Sequence, residues 1–161
     1  MSCVVGIDPG LRATGYGFID LQGNKVSLID TGTIEPRQKD PVSLRLERIY
    51  CTLDLLLSKH RPQVMVLEKL YAHHQHPTTA TILGHARGVI CLLAAQHKIG
   101  LIEQSVKRIR KAVTGNGNAS KQQTQRMVGQ ILKIDAASLA LDASDALALA
   151  IGYCSLKECK I

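Results

Sequence analysis

Four carboxylates stand where apolar runs begin or end. Asp8 closes "SCVVGID", Glu68 closes "QVMVLE", and Asp142 and Asp145 stand at the head of the apolar stretch "ALALAIGYC". A helix would put Asp142 and Asp145 on one face, where like charges repel and unpaired burial costs much more. Carboxylate oxygens on rigid element ends are what Mg²⁺ or Mn²⁺ takes as ligands, with no histidine or cysteine cluster required. A divalent cation would neutralise the repulsion. Two of them, roughly 3.5–4 Å apart, could activate water and stabilise the leaving oxygen in phosphodiester hydrolysis. Each acid also has a plain structural reading. Asp8 before Pro9 and Gly10 can organise a turn. Glu68 can be a surface residue at a strand end, and Asp142 with Asp145 can form a capping box. The four taken together point to a cation site.

The basic residues are equally localised. Between Gln104 and Ile134 there is no Asp or Glu, but there are Lys107, Arg108, Arg110, Lys111, Lys121, Arg126 and Lys133. They match the whole net charge of +7, so the rest of the chain is balanced. A one-sign block of this kind is the electrostatic footprint of phosphate binding, with a solvated basic face as the alternative. Acids that hold metal within a basic protein that holds a phosphate backbone are the charge layout of a nuclease. The length of 161 residues, 45% of them hydrophobic, suits one domain spanning 1–161. No apolar run reaches membrane length and no charged leader precedes an apolar stretch, so a soluble cytoplasmic protein is expected. Cys3, Cys51, Cys91, Cys154 and Cys159 are odd in number and form no C-x-x-C pair. Buried free thiols are expected rather than a disulfide framework or a zinc site.

The elements that must position these residues can be read from periodicity. "SCVVGIDPG" is a strand meeting a turn, and "TGYGFIDL" and "KVSLIDTGTI" flank a tight turn at "QGN", which predicts a three-stranded antiparallel meander. Leu44, Leu46, Ile49, Leu53, Leu56 and Leu57 have helical spacing over Val42–Lys59. "QVMVLE" reads as a central strand parallel to its neighbours. A long helix follows Pro77 to about His97. Its Gly84 and Gly88 would let another helix approach closely, either within the monomer or from a second subunit, and His85 reads as structural. "IGLIEQ" is a short strand, "SVKRIRKAV" starts a basic helix, and Ser120 can cap a helix through Leu132. The result is an α/β architecture with a mixed five-stranded sheet flanked by helices. If the strands ending in Asp8 and Glu68 are parallel neighbours, both acids emerge at the sheet's carboxyl edge, where open α/β sheets place their sites.

"GIDPGLRATGYG", "VLEKLY", "GHARGV" and "DASDALALAIGYC" together resemble, in order and spacing, the RuvC family of bacterial Holliday-junction resolvases, over essentially the whole chain. The resemblance implies an RNase H-like fold with three antiparallel strands followed by two parallel ones. It also implies a homodimer that cuts opposed strands of four-way junction DNA with Mg²⁺ or Mn²⁺, two ions per active site. The family's catalytic and metal-binding acids fall on Asp8, Glu68, Asp142 and Asp145. Its junction-stacking aromatic falls on Tyr71, where Phe is common, and its functional lysines fall on Arg110 and Lys121. Arg at position 110 keeps a phosphate-binding charge but is unsuited to proton transfer. Lys107, Arg108 and Lys111 complete the expected DNA-binding surface, and RuvA and RuvB are the partners that the resemblance implies. "YAHHQHP" is more histidine-rich than the family pattern; His73, His74 and His76 suit phosphate contact better than a soft-metal site. A YqgF-type RNase H-like nuclease acting on RNA is the alternative. An actin-like nucleotide-binding module would need far more chain than this.

Overall fold

The computed structural model describes residues 2–69 and 77–158. Five strands, β1 (Ser2–Asp8), β2 (Thr14–Gln22), β3 (Lys25–Ile34), β4 (Val64–Glu68) and β5 (Gly100–Gln104), form one sheet in the order β3-β2-β1-β4-β5. β1, β2 and β3 make the antiparallel meander, and β4 runs parallel to both β1 and β5. The helices are α1 (Val42–His60), α2 (Pro77–Gln96), α3 (Val106–Thr114), α4 (Lys121–Leu132) and α5 (Leu141–Glu158). This is the expected mixed sheet, with the apolar β4 in its interior. No helix among the described residues is long and apolar enough to cross a membrane.

Strand alternation sorts the side chains into two cores. Val5, Ile7, Phe18, Met65 and Leu67 pack with Ile49, Leu53 and Leu57 of α1 and Ile90 and Leu93 of α2. Val4, Ile19 and Val66 face the other way, onto Ile109 of α3, Val128 of α4, and Leu147 and Ile151 of α5. Side chains two apart share a face. The series Val4-Gly6-Asp8 and Val64-Val66-Glu68 therefore put both acids on the face that α5 covers. The register pairs Ile7 with Leu67, so Asp8 and Glu68 end adjacent parallel strands side by side.

Glycines let α5 lie close to that face. Gly6 pairs with Gly17, and Asp8 with Gly15, across β1 and β2. A Cβ on Gly6 would stand 1.9 Å from the Ala146 carbonyl oxygen, and one on Gly15 would stand 2.0 Å from that of Asp142. The helix backbone thus rests directly on strand backbone beside Asp8. Ser105 caps α3, and Ser120 caps α4 as expected, with Gln123 completing a capping box.

Four expectations need correction. Asp142 lies inside the first turn of α5 rather than at its cap, because the helix already begins at Leu141 and Ser144 N–H bonds the Ala140 carbonyl. Among the described cysteines only Cys154 is buried; Cys3 and Cys91 are partly buried, and Cys51 is exposed because it lies on the outer side of α1. Leu44, within the apolar pattern of α1, is 50% exposed, since the inward stripe is Ile49, Leu53 and Leu57. For Gly84 and Gly88, the described residues supply no packing partner within the monomer: both are exposed, as is His85, and a Cβ on either glycine meets none of the described residues within 4 Å.

Candidate active site

At the carboxyl edge of the sheet, Asp8, Glu68 and Asp145 line one cavity of about 280 Å³ with Arg110 and Lys121. Strand ends deliver the first two, the first turns of α5 deliver Asp145, and α3 and α4 supply the cations. Ile109, Ala148 and Leu149 form its apolar wall. Asp142 lines an adjoining groove with Arg12 and Arg37. It is still near enough to Asp8 to act on its charge.

The carboxylates strain one another electrostatically. Burial, then Asp145, Asp142 and Glu68, raise the Asp8 pKa from 3.8 to about 7, and Lys121 opposes them. Glu68 is also raised, first by burial and then by Asp145, against Lys121, Arg110 and Arg87. Lys121 Nζ donates to Asp145 Oδ2 at 2.7 Å. That hydrogen bond is the largest cause of the rise in the lysine's own pKa. A cation is therefore already needed in the cavity, and the ammonium partly meets the need.

The donor set of hard oxygens on three rigid element ends fits Mg²⁺ or Mn²⁺. Among the described residues, no three acidic, histidine or cysteine side chains are already gathered as metal ligands. The Lys121–Asp145 pair would have to open for Asp145 to turn towards an ion.

Of the expected DNA-binding residues, Lys107, Arg108, Lys111 and Lys121 are exposed and Arg110 is half-buried at the cavity. Tyr71, His73, His74 and His76 lie outside the described residues. Sequence reasoning assigned Lys121 to DNA but missed its partner Asp145, because 24 residues separate them. It also missed Arg87, which donates to the Glu68 carbonyl at 2.8 Å.

The family model of the crossover junction endodeoxyribonuclease RuvC matches residues 4–153. This chain belongs to the RuvC family. The RuvC of Rhodopirellula baltica is 39% identical over 150 residues, which cover 93% of this chain and 84% of that one. The RuvC of Alkaliphilus metalliredigens is 38% identical over 92% of this chain and 90% of its own. Among solved structures, T. thermophilus RuvC in complex with a Holliday junction substrate superposes with a TM-score of 0.92 at 24% identity, covering 99% of this chain and 96% of that one. A second Thermus thermophilus RuvC structure gives 0.88 at 25% identity, covering 98% and 96%. The fold is thus that of RuvC, as the RNase H-like expectation required, and the YqgF-type alternative is not favoured.

Proposed function

We propose that this chain is a Holliday-junction resolvase that cuts phosphodiester bonds at the cavity formed by Asp8, Glu68 and Asp145, with Asp142 at its margin. The observation that supports this most directly is the convergence of three carboxylates from distant parts of the chain on one cavity, with Asp8 raised to about pKa 7 by burial and by the charges of its neighbours. The four acids are the proposed holders of Mg²⁺ or Mn²⁺, two ions per site, which would supply a water nucleophile and stabilise the leaving oxygen. Asp8 and Glu68, fixed by the sheet, define one side of the ligand set. Asp145 would complete it on parting from Lys121, and the ammonium and Arg110 would then be available to a phosphate, each as a hydrogen-bonding charge.

Lys107, Arg108, Arg110, Lys111 and Lys121 hold the DNA backbone, and Tyr71 stacks on a junction base. The open, glycine-lined face of α2 is the proposed contact with a second copy, so that two sites cut opposed strands. RuvA and RuvB are the proposed partners, and the cytoplasm the proposed place of action.

Incubation with a synthetic four-way junction, a linear duplex and an RNA–DNA hybrid, each with and without Mg²⁺, tests the reading. Paired symmetric nicks confined to the junction and dependent on metal are expected. Cleavage of the hybrid without the junction would overturn it.

A further inference from the structure

The carbonyl of Glu68 occupies an unusual place in the sheet. Lys69 N–H bonds the Gln104 carbonyl of β5 at 2.8 Å, so alternation along the strand turns the Glu68 backbone towards β1. Extending the β1–β4 register, in which Ile7 pairs with Leu67, makes residue 9 the next donor for that carbonyl. Residue 9 is Pro9, which has no N–H to give. Arg87 of α2 fills the gap: its Nη1 donates to the Glu68 oxygen at 2.8 Å while its Nη2 pairs with Glu103 Oε1 on β5.

The arginine itself is held firmly. Its side chain is only 12% exposed, and its neighbours on the helix, Ala86 and Ile90, are fully buried against the sheet. The fork of the guanidinium lets one group bind a backbone carbonyl and a carboxylate together, which a lysine ammonium matches poorly. Glu103 is half exposed, so this ion pair by itself adds little stability. Its use is geometric.

We propose that Arg87 is a positioning residue for the reaction: it locks the end of β4 so that the Glu68 carboxylate stands in register with Asp8 for metal binding. The inference rests on the reading of Glu68 as a metal ligand. It also ties the cavity to α2, whose exposed face carries Gly84 and Gly88, so the helix proposed to meet a second copy fixes an active-site strand as well.

The full chain carrying Arg87→Met, Arg87→Lys or Glu103→Gln would be assayed for junction cleavage across a Mg²⁺ titration. Junction affinity without divalent metal and thermal unfolding would be measured alongside. For Arg87→Met, the expected result is a loss of about 10–100-fold in rate at limiting Mg²⁺ with a raised half-saturating concentration. Junction affinity should stay unchanged and the melting temperature within a few degrees. Arg87→Lys should recover part of the loss. A wild-type Mg²⁺ requirement in Arg87→Met overturns the proposal. So does a loss that merely follows melting temperature and junction affinity downward in both Arg87 variants. If Arg87→Met does not fold, Glu103→Gln decides: a raised Mg²⁺ requirement supports positioning, and an unchanged one overturns it. Glu68→Gln separates the two readings. If it cuts at the wild-type rate, the metal-site assignment of Glu68 fails; if it is inactive while Arg87→Met is unaffected, only the role of Arg87 fails.

Discussion

With burial and three carboxylates raising Asp8 to about pKa 7 from 3.8, the metal-free fold takes up a proton at this residue that the unfolded chain releases. The sign follows from linkage. A raised acid leaves stability intact below the unfolded value and reduces it as pH climbs through the window to the folded value, with the full cost present above pH 7. Asp8→Asn removes that cost. In metal-free protein at pH 8 it should regain on the order of 2–4 kcal/mol, visible as roughly 2–4 °C in melting temperature per kcal/mol, while cleavage is lost. At pH 4 the gain should vanish. A variant no more stable than wild type at pH 8 would mean the Asp8 charge is already compensated. Asp145→Asn tests the neighbouring acid. Cutting should disappear while junction binding persists, because binding rests on the basic surface. A parallel loss of binding, read by gel shift in the absence of Mg²⁺, would make Asp145 a structural partner of Lys121 instead.

The elements bring these side chains together by close approach rather than by any feature of the acids themselves. The first turns of α5 come within reach of Asp8 because Gly6, Gly15 and Gly17 leave no side chains between helix and sheet. Gly15→Ala would place a methyl group about where the Asp142 carbonyl oxygen lies, 2.0 Å from the ideal Cβ. The helix must lift or tilt. Overpacking of this kind costs about 1–3 kcal/mol, and the cleavage rate should fall by more than the stability loss alone explains. Thermal unfolding measured beside cleavage rate on the same samples checks it; a stable variant with full activity would show that α5 has freedom to adjust. The strand glycines had no reading in the sequence, since their meaning depends on what crosses over them. Asp8 and Glu68 were legible because each ends an apolar run, and alternation then assigns the face. Lys121–Asp145 and Arg87–Glu68 were not legible, as each joins elements whose neighbourhood only the folded sheet defines. The inner stripe of α1 was half legible: Ile49, Leu53 and Leu57 turn inward as their spacing predicts, whereas Leu44 continues the pattern past the end of the core.

At the scale of the whole molecule, the basic helices and the bare face of α2 set what the site can reach. Replacing Arg110 and Lys111 by alanine should weaken junction binding and lower the slope of log affinity against log salt by up to about 2, near one for each phosphate contact removed. An unchanged slope would take those residues off the DNA path. The second surface is tested by Gly88→Arg. The position is exposed and helical, with none of the described residues within 4 Å of a Cβ, so a side chain there disturbs no contact among them. Replacing a mid-helix glycine by arginine even favours the helix, by somewhat under about 1 kcal/mol. The folded monomer should therefore be at least as stable as wild type. A partner helix packed against Gly84 and Gly88 would instead meet a long charged side chain at its closest approach. Sedimentation should then show a dimer for the wild-type chain and a monomer for Gly88→Arg, and on a four-way junction the paired nicks should give way to single, uncoupled ones. A dimer that survives the substitution, with paired cutting intact, would move the subunit contact away from this face of α2.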